Sequence, residues 1–165
     1  MKRPATMALL AVATAMNGIL AGAGLVRLIV DMPAWRRVGA LAWADFSRHA
    51  DLGNGLVLYP LLGVGGAVAA VGAVVAFRVS GGTPRAASPP VYLGALLALL
   101  GMVATAFAAP QMLSLRAALD AGAIQQAFDR FEFWGGIRAV AQALAVGAHV
   151  WAIARVSRGD RRTEP

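Results

Sequence analysis

Four apolar runs divide the chain, and shorter polar segments separate them. The runs cover residues 5–30, 53–77, 91–109 and 131–155. Each is close to the ~20 residues that a helix needs to cross a hydrocarbon core of about 30 Å. The pattern predicts an all-α integral membrane protein, an antiparallel four-helix bundle. We expect one transmembrane domain over 1–155, followed by a basic cytoplasmic tail over 156–165.

The first run has two interpretations. Ala21-Gly22-Ala23 resembles a signal-peptide cleavage site, but the apolar run continues to Val30 and more apolar runs follow, which favours an uncleaved span. Gly18 and Gly22 form a Gly-x-x-x-Gly pair, which is typical of close helix packing and is compatible with a homo-oligomer. Asn17 in mid-run is either an interhelical hydrogen-bonding group or a ligand contact.

Residues 31–52 mix aromatic and charged side chains. Trp35, Trp43 and Phe46 alternate with arginines, aspartates and His49. This composition predicts an amphipathic helix in the membrane interface after the first span, with the tryptophans at headgroup depth. An irregular loop is the alternative. A second moderately polar segment, 111–130, predicts an amphipathic helix with a break near Gly122.

The fourth run carries polar residues inside its apolar sequence. At about 100° per residue, Arg138, Gln142 and His149 fall on one side of the helix. A cation in hydrocarbon costs roughly 2.5–3.5 kcal/mol on insertion scales. We therefore expect this side to face neighbouring helices or a hydrated cavity.

Composition supports the membrane assignment. Of the 165 residues, 59% are hydrophobic and 14% are charged, and the mean hydropathy is +0.66, whereas soluble domains carry about 25% charged residues. The chain has no cysteine, which excludes disulfides, thiolate metal sites and dithiol redox chemistry.

The net charge of +7 is explained by membrane topology, because the basic residues gather at the ends of the apolar runs. It does not indicate a nucleic-acid partner. Four spans place both termini and the 78–90 connector on one side. That side holds eight Lys and Arg residues, and the other side holds five: Arg36, Arg37, Arg48, Arg116 and Arg130. The positive-inside rule therefore predicts a multi-pass protein of the cell membrane with both termini cytoplasmic.

In that topology the unusual polar residues share the outward half of the membrane. Arg27 ends the first span, Asn54 and Tyr59 begin the second, and Glu132 and Arg138 begin the fourth. They are candidates for the lining of one cavity. The alternative is a Glu132–Arg138 or Asp–Arg pair that only fastens helix ends, since spacing alone does not separate a clamp from a site.

Several short motifs resemble a known family. They are Met32-Pro33 after the first span, Trp43 and Phe46 in the connector, Pro60 early in the second span, and Phe128-x-x-Phe131-x-x-Trp134-x-x-x-Arg138 at the start of the fourth. Together they resemble the small integral membrane family that includes the anthrone oxygenases. Gly135 stands where an Asn commonly follows the tryptophan in that family.

The resemblance implies a cofactor-independent oxygenase that oxidises a lipophilic aromatic or polyketide substrate, such as an anthrone, with O₂. A base would remove a substrate proton, and a cation would stabilise the enolate. Arg138 is the candidate for the cation, and His49 or Glu132 for the base. Trp134 and Trp43 would stack on the flat substrate, and Arg27, Asn54, Tyr59 and Asn17 would complete its binding site.

Two other classes of function stay open. A non-catalytic accessory or assembly protein would use the small-residue faces for association. A small transporter is a weaker interpretation, because the first three spans lack a carboxylate and Glu132 sits at a span end. No metal is expected: His49 and His149 belong near opposite membrane faces, and Asp45 and His49 alone are too few ligands. His149 is interpreted as a satisfied packing histidine.

Overall fold

The computed structural model describes residues 3–161, which are helical along most of their length and contain no strand. The α-helices are α1 (Arg3–Val26), α2 (Met32–Val38), α3 (Ala40–His49), α4 (Gly55–Val79), α5 (Ser88–Ser114) and α6 (Ala121–Arg161). Two π-helical segments, Arg27–Asp31 and Ala50–Asn54, join α1 to α2 and α3 to α4. A 3-10 turn, Arg85–Ala87, precedes α5. The prediction of an all-α chain is confirmed.

Within residues 3–161, four continuous helical stretches are long and apolar enough to cross a membrane. They are Pro4–Val38, Ala40–Val79, Arg85–Ser114 and Ala121–Arg158. The prediction of four long apolar helices is thereby confirmed. The stretches are longer than the predicted spans because the polar connectors on either side are themselves helical.

The 31–52 segment forms two short helices, not a loop. Pro33 lies in the first turn of α2, directly after the π-helical segment, and it has no N–H to donate to a carbonyl of that segment. Gly39 separates α2 from α3 with a φ of 102°, a conformation that glycine adopts without a Cβ clash. At Gly53 the backbone leaves the helical region, with a ψ of −118°, so α3 and α4 meet at a kink.

Small residues line the contacts between the long helices. α1 packs against α4 and α6, and α5 packs against α6 and α4. A buried cluster of alanines lies among α1, α4 and α5: Ala13, Ala69, Ala70, Ala95 and Ala98. Side chains of this size let helix backbones approach closely, which is how helices associate where no hydrophobic force acts between them.

An aromatic core fixes α2 and α3 against α5 and α6. Trp43 is 1% exposed, and its ring centroid lies 5.1 Å from that of Phe128 and 5.8 Å from that of Phe131. Arg48 of α3 donates to the carbonyl oxygens of Leu115 (2.9 Å) and Ala118 (2.7 Å). These carbonyls follow the end of α5, where backbone acceptors lack helical donors.

Two polar side chains of α6 pack against two glycines of α5. A Cβ at Gly94 would overlap the His149 imidazole, and a Cβ at Gly101 would lie 3.3 Å from Cγ of Gln142. Both polar residues are buried. His149 is therefore packed as expected, but the expectation that it is satisfied is wrong, because neither ring nitrogen has a hydrogen-bond partner among the described residues.

Candidate ligand-binding cleft

A cleft opens between the end of α1 and the first half of α6. It contains about 230 Å³ of empty space, part of it open to the surroundings. Its lining includes Gly24, Arg27 and Met32 on one side and Phe131, Glu132 and Arg138 on the other. The enclosed part of the cleft amounts to about 10 Å³, room for roughly one water molecule, so a flat multi-ring ligand needs the cleft to widen.

Glycines set the shape of the cleft. A Cβ at Gly24 would lie 3.0 Å from the Cβ of Ala139, so α1 and α6 touch closely at this level. A Cβ at Gly135 would meet nothing within 4 Å. The close approach at Gly24 and the open space at Gly135 therefore leave a gap on one side of the helix contact.

Arg27 reaches both the cleft and a buried carboxylate. One of its Nη atoms donates to Oδ1 of Asp51 at 2.6 Å, and the two side chains are 19% and 3% exposed. The guanidinium carbon of Arg27 also lies 5.6 Å from the centroid of the Phe131 ring. Arg27 is thus charge-compensated, and its stacking on an aromatic face adds a cation–π contact.

Arg138 has no such compensation. Its guanidinium carbon lies 5.9 Å from the Phe131 centroid, on a ring that Arg27 also approaches. Among the side chains that the structure describes, none forms a hydrogen bond or an ion pair with it. A guanidinium carries five N–H donors and stays charged. The cleft therefore contains one cation whose hydrogen-bonding capacity is unused.

Glu132 also lines the cleft, but its carboxylate is occupied. Arg36 of α2 donates to both oxygens, at 3.1 and 3.0 Å from Nε and 2.5 Å from Nη. The sequence left open a pair between Glu132 and Arg138. The structure instead joins Glu132 to an arginine 96 residues away, which fastens α2 to α6.

His49, the other candidate base, lies outside the cleft. It is exposed at the end of α3, and its Nδ1 lies 2.9 Å from the carbonyl oxygen of Asp45, one turn earlier. The structure does not bring His49 together with Arg138.

The aromatic residues are arranged differently from the expected stacking pair. Trp43 is enclosed in the aromatic core, and Trp134 stacks on Phe107 with centroids 4.5 Å apart and planes at 19°. Neither lines the cleft, whereas Phe131 does. The sequence motif included Phe131 but gave it no role. Phe131 lies seven residues before Arg138, about two helical turns, and this spacing could have placed the two residues on the same side of the helix.

The remaining candidate residues, Asn17, Asn54 and Tyr59, do not line the cleft. Asn17 is 3% exposed, donates to the Ala13 carbonyl at 2.8 Å and packs against Gly66, as an interhelical packing group does. Asn54 and Tyr59 are exposed at the start of α4. Of these three, Tyr59 is close enough to Arg138 to interact with its charge, as Arg27 and Asp51 are.

Asp51 is the residue that the sequence analysis missed. Its neighbours Arg48, His49 and Asn54 are polar, so the segment looked like a solvated interfacial surface, yet the side chain of Asp51 is almost fully buried.

Within residues 3–161, no group of three or more His, Cys, Asp or Glu residues is placed to hold a metal ion. Comparisons of the chain with protein families, with curated proteins and with solved structures found no match.

Proposed function

We propose that the chain is a multi-pass protein of the cell membrane, an antiparallel four-helix bundle with both termini in the cytoplasm. Gly94 contacts His149 and Gly101 contacts Gln142, so residue numbers rise along α5 while they fall along α6. This supports an antiparallel arrangement of the two helices. The excess of Lys and Arg at the termini and the 78–90 connector supports the orientation. In this arrangement α2 and α3 lie at the outer membrane interface.

We propose further that the cleft binds a lipophilic aromatic molecule as its anion and promotes its oxidation by O₂ without a cofactor. The observation that carries the binding step is the unpaired guanidinium of Arg138 beside the Phe131 ring. The Phe131 ring is 3% exposed and belongs to the aromatic core, so the group that supports ligand binding is the guanidinium, which offers donors to an oxyanion. The oxidation step comes from the motif resemblance to the anthrone oxygenases.

The chemistry needs little from the protein. For an anthrone, loss of the acidic ring C–H proton leaves an enolate, which transfers an electron to O₂ and then captures the oxygen at the same carbon. Loss of the second C–H proton and of hydroxide from the peroxide gives the quinone, so one anthrone and one O₂ become one quinone and one water. Arg138 lowers the barrier by stabilising the enolate oxygen in surroundings of low dielectric.

Membranes that contain the protein, supplied with an anthrone and O₂, should form quinone faster than membranes that contain Arg138→Ala. Loss of one oxyanion donor typically lowers turnover by about 10²–10³-fold. Arg130→Ala is the matched control, because Arg130 is an exposed arginine of the same helix. Equal rates for wild type and Arg138→Ala would refute the proposal.

A second candidate is a non-catalytic accessory protein that associates through α1. Cβ atoms added at Gly18 and Gly22 would meet nothing within 4 Å, so this Gly-x-x-x-Gly pair packs on no other part of the described chain. For this candidate, chemical cross-linking in membranes should trap an oligomer or complex of the wild type that Gly18→Leu abolishes. A wild type that stays monomeric would count against it.

A further inference from the structure

The positive charge of Arg138 has no counter-ion in the part of the chain that the structure describes. The carboxylate near enough to interact with this charge is that of Asp51, and its Oδ1 already accepts from Arg27 at 2.6 Å. The carboxylate that lines the cleft, Glu132, accepts from Arg36 through both oxygens. Two guanidiniums and one shared carboxylate therefore leave one positive charge in excess at the cleft.

The two guanidiniums lie beside one aromatic ring. The guanidinium carbon of Arg27 is 5.6 Å from the centroid of Phe131, and that of Arg138 is 5.9 Å from it. A cation within a membrane span is costly unless it is paired, and two like charges at this separation repel each other. An anion bound to Arg138 would remove both costs, because it would pair the free charge and offset the repulsion.

The size of the cleft limits the size of this anion. Its enclosed part has room for roughly one water molecule. A chloride ion is a sphere only slightly larger than a water molecule, whereas phosphate and sulfate carry several oxygens around a central atom. The helices touch closely at this level, since a Cβ at Gly24 would lie 3.0 Å from the Cβ of Ala139. A polyatomic anion would therefore need α1 and α6 to separate.

We propose that the cleft is a halide site, in which one chloride ion is bound by the N–H donors of Arg138 and balances its charge. A guanidinium has five donors, and its hydrogen bonds to anions are stronger than those between neutral groups. Chloride is then the resident ion of the closed cleft, and an aromatic oxyanion displaces it as the cleft widens. The displacement rests on the proposed binding of an aromatic ligand, whereas the halide site depends neither on that binding nor on the reaction with O₂.

The width of the ³⁵Cl NMR signal tests the halide site on the full chain, purified in micelles of a neutral detergent. This quadrupolar nucleus relaxes rapidly when it is bound, so exchange with a protein site broadens the signal of free chloride. The wild type should cause excess broadening that bromide removes and that sulfate at equal ionic strength does not. Exposed arginines would show the opposite preference, because a divalent anion attracts them more strongly than bromide does.

Two arginine variants locate the site. Arg138→Gln should weaken chloride binding roughly 10- to 100-fold, the loss expected for a hydrogen bond to a charged group, and so remove the excess broadening. Arg130→Gln makes the same change at an exposed position of α6 and should keep it.

Three results would each overturn the halide site. They are a wild type without excess broadening, an excess that sulfate removes as readily as bromide, and an excess that persists in Arg138→Gln. The first two are measured on the wild type alone, so the test stands even where Arg138→Gln fails to fold.

The displacement has its own measurement. Alizarin, a dihydroxyanthraquinone, is titrated as its phenolate into the protein in the same micelles under nitrogen. Replacement of gluconate by chloride should weaken alizarin binding as chloride occupies the site, because both anions use Arg138. Equal alizarin binding in chloride and in gluconate would overturn the displacement.

The outcome is separable from that of the oxygenase assay. Chloride broadening that depends on Arg138, without quinone formation from an anthrone, would sustain the halide site and remove the oxygenase. Quinone formation without excess chloride broadening would do the reverse.

Discussion

The two arginines that line the cleft, Arg27 and Arg138, are accommodated in different ways. Arg27 forms an ion pair with a carboxylate at 2.6 Å and lies over an aromatic ring, whereas Arg138 lies over the same Phe131 ring and forms no ion pair or hydrogen bond with a described side chain. Removal of one partner from a buried ion pair leaves the other charge uncompensated, which typically costs about 3–5 kcal/mol, more than the pair itself contributes. The Arg27–Asp51 pair should therefore dominate the electrostatic stability of this end of the molecule.

Arg27→Gln and Asp51→Asn should each lower the free energy of unfolding by about 3–5 kcal/mol. The double variant should lose less than the sum, because neither charge is then left unpaired. Denaturant titration of the protein in micelles measures all three values, with Asp45→Asn as the neutral control. Additive losses would show that the two side chains do not interact.

For individual residues, the sequence identified which side chains are unusual, but it did not identify the partners of those side chains. It identified Arg27, Glu132 and Arg138 as unusual, and all three line the cleft. It did not identify Asp51 or Arg36, because their partners are 24 and 96 residues away along the chain. Pairs so far apart depend on helix docking, which local periodicity does not encode.

Among the helices, α5 and α6 form a contact in which polar side chains lie against glycines. The imidazole of His149 occupies the space above Gly94 that a Cβ would fill. Packing so close to a backbone tolerates no added atoms unless the imidazole moves, and its burial restricts that movement. The fit between these two residues should therefore specify the register of the two helices.

Gly94→Ala should lower the free energy of unfolding by about 1–3 kcal/mol, the usual cost of overpacking. His149→Ala combined with Gly94→Ala should recover part of that loss, because the smaller side chain vacates the space. Gly22→Ala, at a position with nothing within 4 Å, serves as the control and should cause no loss. No difference between Gly94→Ala and Gly22→Ala would show that His149 does not pack on α5 as described.

Helix boundaries were harder to predict than the helices. α6 begins at Ala121, ten residues before the predicted start of the fourth span at Phe131. Polar residues such as Gln125 and Asp129 suggested a separate connector. They occupy the exposed side of a continuous helix whose other side buries Ile124 and Phe128, and hydropathy alone does not distinguish an amphipathic extension of a span from an interfacial helix.

For the molecule as a whole, the run lengths were sufficient to predict four long apolar helices, since a run of that length has few alternatives in lipid. The contacts among those helices were not predictable, because alanine and glycine occur on several sides of each run. The side of the membrane on which each connector lies is set by charge, and it stays a prediction with a direct test.

Because the chain contains no cysteine, single introduced cysteines report topology without background. Ala86→Cys and Ala117→Cys are both at exposed positions, the first before α5 and the second after it. In intact cells an impermeant maleimide should label Ala117→Cys, and it should label Ala86→Cys only after the membrane is opened. The reverse pattern would invert the proposed orientation, and labelling of both in intact cells would contradict a spanning α5.

We propose that Arg138 supplies the unused positive charge that binds an aromatic anion in the cleft. The most direct measurement is the affinity of alizarin for the wild type, for Arg138→Gln and for Arg130→Gln, under nitrogen in the same micelles. A hydrogen bond to a charged group contributes about 1.5–3 kcal/mol, so Arg138→Gln should weaken binding by roughly 10- to 100-fold. Arg130→Gln should bind as the wild type does, and equal affinity in all three proteins would contradict the account.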